Sequence, residues 1–258
     1  MRLICQQEAL ESIKLLAEHN QHGVLIIGDS GSGKTYVARQ YAKLLNIEDF
    51  YIINPVMTDL RSMIELCLSA ENPVVLCIEN LDNGVAQASA PLLKLIEDCP
   101  SHIYIVVTCN NYYAIPDTIP SRCALVSINP PTKSDIEQYA KSKDTTAYEF
   151  LKGKKVWNCI KGFGDADIIL KFTPEHLKYF SSLEKVAWNR DTVSNISWNL
   201  QHYEDKTETP LPVVIRYLMQ VNPNYRKACV DCLNDLADNK ISKNAVVSKL
   251  VFDLKYIK

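Results

Sequence analysis

Five short apolar runs punctuate the first half of the chain: Val24 to Ile27, Phe50 to Ile53, Val74 to Ile78, Ile103 to Val107 and Leu125 to Ile128. They are rich in β-branched residues and too short for buried helices, so they predict buried strands. Between them, apolar positions recur at helical spacing over Glu8 to Glu18, Lys34 to Leu45, Asp59 to Leu68 and Leu92 to Asp98. Strand alternating with helix predicts an α/β fold, a parallel sheet covered on both faces.

After Ile128 the strand signal stops. Asn129-Pro130-Pro131 breaks the chain, and Thr132-Lys-Ser-Asp135 offers a start like a capping box, with Asp where Glu or Gln is usual. A second helical start is predicted at Thr173-Pro174-Glu175, where Thr can cap, Pro suits the first turn and Glu favours the positive helix end. From there to Lys258 the pattern is helical, except for a polar stretch with two prolines, Gln201 to Pro212, which reads as a loop. The division predicted is residues 1–130 as a nucleotide-binding core, 131–172 as a small helical part and 173–258 as an all-α part.

Composition adds exclusions. With 47% hydrophobic and 22% charged residues among 258, the chain is ordinary for a globular protein. It has no apolar run of about 18 residues to span a membrane. Its first residues hold too brief an apolar stretch for a secretory signal, so a cytoplasmic setting is expected. Nine cysteines, an odd number scattered through apolar runs, imply reduced thiols in the core rather than a disulfide framework. Cys229-Val-Asp-Cys232 is half a zinc site at best, and on a helix the two thiols share a face. A net charge of −2 exerts no general pull on a polyanion, so nucleic acid would have to be met by a local basic patch. Tyr112, Tyr113 and Trp157 read as packing residues.

One motif carries chemistry by itself. Gly28-Asp29-Ser30-Gly31-Ser32-Gly33-Lys34-Thr35 fits GxxxxGK[ST] in full, directly after a predicted strand and before a predicted helix. Glycines allow backbone N–H groups to turn inward around phosphates, the following helix presents its positive end, and Lys34 supplies a cation to the β and γ phosphates. Thr35 can hold Mg2+ through its hydroxyl, and Glu79, at the end of the run Val74 to Ile78, can supply the acid for the same ion.

Three further segments extend the pattern: Leu92-Leu-Lys-Leu-Ile-Glu97, Thr108-Cys109-Asn110-Asn111 and Ile119-Pro-Ser121-Arg122-Cys123. With the phosphate loop they resemble the AAA+ ATPase subunits of DNA-polymerase sliding-clamp loaders, over about residues 4–172; the last third is similar only in being helical. In that family a DExD stretch precedes a helix reading roughly ALLKxLE, then a strand ends in a polar sensor, then SRC follows. The resemblance implies a P-loop AAA+ core, a helical lid and a collar-like C-terminal oligomerisation domain. It also implies ATP and Mg2+ as cofactors. The partners implied are other clamp-loader subunits in a ring, the sliding clamp and primer-template DNA.

By the same resemblance Asn110 is the first sensor and Arg122 an arginine finger acting on a neighbour's nucleotide. Two positions depart. The family's catalytic Glu falls on Asn80, which cannot accept a proton from water, and Asp167 in Gly164-Asp165-Ala166-Asp167 stands where a second-sensor arginine is usual. These departures leave a motor subunit and a non-hydrolysing structural subunit that donates Arg122 both open. A helicase loader or initiator has less reason to carry SRC. Only Cys67 lies where the bacterial branch has a four-cysteine zinc module, so the chain looks more like the phage, archaeal or eukaryotic small-subunit type.

Overall fold

The computed structural model describes residues 6–54, 60–83, 85–183, 211–237 and 242–256. Two compact units divide the chain, Met1–Asp135 and Ile136–Lys258.

In the first unit, five strands form one parallel sheet: β1 (Gly23–Ile27), β2 (Asp49–Ile53), β3 (Val74–Ile78), β4 (Ile103–Cys109) and β5 (Ala124–Ser127), in the order β2-β3-β4-β1-β5. Helices α1 (Gln7–Glu18), α2 (Lys34–Leu44), α3 (Leu60–Leu68) and α4 (Val85–Glu97) complete it. Side chains alternate across the strands, and the two faces sort accordingly. Val24, Ile26, Val75, Cys77 and Val106 pack with Ala9, Ile13, Val37 and Tyr41 of α1 and α2. Leu25, Leu76, Ile78, Ile105 and Val107 pack with Leu60, Ile64, Leu92 and Leu95 of α3 and α4. Both faces are dry along β1, β3 and β4, which is why these strands read as continuous apolar runs.

The predicted strands are all present, shifted by two residues or fewer at their ends. Helix α4 begins well before Leu92, with Pro91 in its interior. The Ala-rich stretch Ala86 to Ala90 favours helix, and Pro91 removes one backbone donor without ending it. Asp59, the expected start of α3, lies outside the described residues.

The helical segment after the sheet starts as the sequence predicts. Thr132 N and Oγ1 both donate to Asp135 Oδ2, at 2.8 and 2.6 Å, and Asp135 N donates to Thr132 Oγ1, closing the box at the head of α5 (Lys133–Lys143). The second unit continues with α6 (Thr145–Leu151), α7 (Phe163–Ile169), α8 (Pro174–Leu183), α9 (Leu211–Val221), α10 (Arg226–Ala237) and α11 (Lys243–Tyr256). One apolar core joins Leu151, Cys159, Ile169 and Phe172 with Phe180, Val214, Leu218, Cys229, Val247 and Leu250. Of the predicted loop, residues 201–210 lie outside the described residues, whereas Leu211 and Pro212 open α9, where a missing N–H has no intrahelical partner to lose. Cys229 and Cys232 share the buried face of α10, and burial pushes both thiols up to about 12. No described helix is long and apolar enough to cross a membrane.

Trp157 packs on the core and meets the Tyr148 ring edge-on at 5.2 Å, as a packing residue should. Tyr113 does not: it is 93% exposed, because Asn111 caps the short turn Tyr112–Ala114 and turns the chain outward. The layered core gives a contrast in stability. Leu76 sits in the middle of the sheet with no exposed surface, so Leu76→Ala should lower unfolding free energy by about 3 kcal/mol, whereas Leu125→Ala, on the edge strand and 56% exposed, should change it by less than about 1 kcal/mol in urea denaturation.

Candidate nucleotide-binding site

In an open parallel sheet, ligands meet the carboxyl ends of the strands. Here β3, β4 and β1 are adjacent, and register sets what converges there. Ile27 lies level with Cys109, and Ile78 level with Val107. Gly28, Asn110 and the turn Glu79 to Asp82 therefore leave the sheet side by side.

Gly28 N donates to Cys109 O at 3.2 Å, extending the ladder by one bond. The loop then turns through Gly31 (φ +78°) and Gly33 (φ +98°), left-handed conformations that favour glycine, and Gly33 leads into α2. A β-carbon on Gly28 would come within 2.8 Å of Ile128 O and 2.9 Å of Ser32 Oγ, so no side chain fits at the mouth of the loop. Behind it, Gln6 Nε2 donates to Ser32 O and Asn129 O, both at 3.0 Å, bracing the loop from the head of α1. Gln6 is 2% exposed, and its only signal in the sequence is a polar residue immediately before an amphipathic helix.

Lys34 is the centre of the arrangement. Its Nζ donates to Gly28 O (2.8 Å), Asp29 O (2.9 Å) and Asn110 Oδ1 (2.8 Å), so all three protons are engaged. Burial pushes its ammonium below the ordinary lysine value, opposed by Asp82, Cys109, Asp29 and Glu79 in that order. Thr35 Oγ1 donates to Glu79 Oε1, which puts the predicted hydroxyl and acid together. Asn80 adopts φ +51°, and its N–H donates to Thr108 Oγ1 at 3.1 Å. Asn110 Nδ2 faces Asn80 Oδ1 and Asp82 Oδ2, each at 3.3 Å, and Asn111 N donates to Asp82 Oδ2 at 3.2 Å. The sequence signal for Asp82 is weak: it is only the last acid of the short stretch Glu79 to Asp82.

These residues fit a nucleoside triphosphate with a divalent cation. The loop's mouth excludes a β-carbon, Ser32 Oγ is buried with no hydrogen-bond partner among the described residues, and an ammonium, a hydroxyl and carboxylates meet at the carboxyl ends of the central strands. Gly28, Asp29, Ser30, Gly31, Ser32, Gly33, Lys34, Thr35, Glu79, Asn80 and Asn110 thus gather at or beside one place.

Arg122 stands apart from this cluster. It follows Thr118 in a short turn before β5, donates through Nη1 to Thr118 O at 2.9 Å, and pairs through Nη2 with Glu97 Oε1 at 2.8 Å. Both side chains are substantially exposed, at 39% and 50%. In the second unit, Tyr139 Oη donates to both carboxylate oxygens of Asp167, at 2.7 and 2.8 Å, with Lys143 3.9 Å away. Burial and that bond push the Tyr139 hydroxyl well above its ordinary value, so it remains a donor. Its neighbour Asp165 takes a two-pronged pair from Arg216 at 3.0 and 3.3 Å.

Residues 53–132 match the family model described as DNA polymerase III, delta subunit. The sliding-clamp-loader large subunit of Escherichia phage RB69 is 25% identical over 52% of this chain and 44% of its own length. The replication factor C small subunit of Sulfolobus acidocaldarius is 27% identical over 52% of this chain and 46% of its own. This chain therefore spans about half the length of the curated relatives it matches. Among solved structures, a DNA polymerase III gamma subunit-related protein of Thermotoga maritima superposes with TM-score 0.53 at 14% identity, over 96% of this chain and 99% of that one. The RuvB Holliday junction branch migration motor of the same organism superposes with TM-score 0.53 at 15% identity, over 95% and 81%. By sequence over about half its length the chain is similar to subunits of sliding-clamp loaders, and over nearly all of it its fold is that of the DNA polymerase III gamma subunit-related protein and the RuvB motor.

Proposed function

We propose that the chain binds ATP with Mg2+ as one subunit of a sliding-clamp loader, the assembly that places the polymerase processivity clamp on primer-template DNA. The observation that carries this reading is the Lys34 ammonium shared between the first turn of the phosphate loop and Asn110 at the end of β4. Relatives whose printed names are sliding-clamp-loader large subunit and replication factor C small subunit support the process.

In this reading the backbone N–H groups of Gly31 to Thr35 bind the phosphates and Lys34 neutralises the β and γ positions. Thr35 and Glu79 hold the Mg2+, which supplies charge stabilisation when bound. Asn110 orients the γ phosphate. Arg122 acts in trans: its exposed guanidinium leaves Glu97 to meet the nucleotide of the adjacent subunit. Residues 131–172 serve as the lid and 173–258 as the ring-forming collar.

A second reading is favoured by Asn80 and Asp167: a structural subunit that binds nucleotide and lends Arg122 without hydrolysing at its own site. Asn80 offers no base, and its left-handed backbone suits Asn better than Glu.

Three measurements test these assignments. In calorimetry the chain should take up ATP in magnesium buffer, and Lys34→Ala should weaken that binding by about 2 kcal/mol or more, roughly thirtyfold; no uptake by the chain or its assembled complex sinks the proposal. Arg122→Ala should leave the chain's own affinity within about twofold while lowering the complex's ATPase by about 10³-fold; a matching loss of own-site binding would place Arg122 in cis instead. Asn80→Glu should raise hydrolysis if only the base is missing, at about 1 kcal/mol of stability for the left-handed backbone; unchanged turnover favours the structural subunit.

A further inference from the structure

The Asn110 amide stands between a cation and two oxygen acceptors. Lys34 Nζ donates to its Oδ1 at 2.8 Å, and its Nδ2 faces Asp82 Oδ2 and Asn80 Oδ1, each at 3.3 Å. The donor and acceptor inventory decides which neighbour controls the arrangement. An ammonium only donates, so the oxygen end of Asn110 has to face Lys34, and the nitrogen end is left for the acidic turn. Asn80 cannot enforce this, because its own amide can turn over and present nitrogen instead of oxygen. An ionised carboxylate can, since it only accepts.

Asp82 is itself anchored. The Oδ2 that faces Asn110 also accepts from Asn111 N at 3.2 Å, so one acid grips the side chain of one residue and the main chain of the next at the same strand end. Its Oδ1 is buried without a hydrogen-bond partner among the described residues, a penalty that an acid serving only to cap a turn avoids by facing water. Asp82 is also the foremost of the charges that oppose the effect of burial on Lys34.

We infer that Asp82 is a positioning residue, which locks the Asn110 amide with its oxygen toward Lys34 so that the pair presents one fixed face to the terminal phosphate. This rests on the nucleotide reading above and assigns within it a role to the acid three residues beyond Glu79. The negative charge that Asn80 does not supply is present in the site, and its work is orientation.

The test is a double-mutant cycle on the full chain, titrated by calorimetry with ATP and with ADP in magnesium buffer. Asp82→Ala should lower the ratio of ATP to ADP affinity about tenfold and Asn110→Ala by a similar factor. The double variant should be no worse than Asn110→Ala alone, because both changes remove one device. Asp82→Asn, which keeps the shape but can turn its amide, should fall between Asp82→Ala and the unsubstituted chain, and it carries the comparison if Asp82→Ala fails to fold. Equal weakening of ATP and ADP, or effects of the two residues that multiply, overturns the inference. A chain that binds neither nucleotide overturns the nucleotide reading itself; one that binds both yet ignores Asp82→Ala overturns only the role of Asp82.

Discussion

A buried ammonium that must keep all its protons bonded is the constraint around which the first unit is organised. Lys34 is 7% exposed, and taking its charge out of water is unfavourable unless acceptors surround it. Two acceptors come from the loop that precedes it, and the third from a strand 76 residues further on. That third bond ties β4 to the phosphate loop, and through Asn110 ties both to the turn after β3. The order β3-β4-β1 makes this geometry available, since no other strand separates the three ends.

The same economy explains the turn after β3. Glu79 N donates to Ile53 O, Asn80 takes a left-handed backbone, and Leu81 is buried, so the chain reverses within three residues and returns Asp82 to the strand end. Asn is among the few residues that adopt this backbone readily. A local conformational requirement therefore accounts for Asn80 without reference to chemistry, while Asp82 keeps a carboxylate in the cluster.

Much of this was legible in the sequence. The central strands were legible because both their faces are covered, and the phosphate loop because its glycines, Lys34 and Thr35 stand at fixed spacing between a strand and a helix. Glu79 was legible as the first charge after an apolar strand. Asp82 and Gln6 were not, because their roles depend on hydrogen bonds across 28 and 26 residues, or more, that no local pattern encodes. The start of α4 was hidden by Pro91, a strong local signal overridden by the helix-forming residues before it and the packing of Leu92 and Leu95 after it. Tyr113 looked like core by type, yet the turn that Asn111 caps carries it outward.

In the proposed reading, Arg122 serves a neighbour, yet here it is held by its own chain. A guanidinium cannot shed its charge, so in a single chain it takes whatever acceptors are at hand, here Thr118 O and Glu97. Both side chains remain largely in water, and such a pair contributes only ~0–1 kcal/mol. A triphosphate offers more charge and a two-pronged fit in a drier setting, where the same guanidinium gains more. In that reading the exchange from Glu97 to a neighbour's nucleotide is downhill, whereas a deeply buried pair would oppose it. The exposure of Glu97 is thus as relevant to the proposed role as the reach of Arg122, because it keeps the contact that must be given up weak.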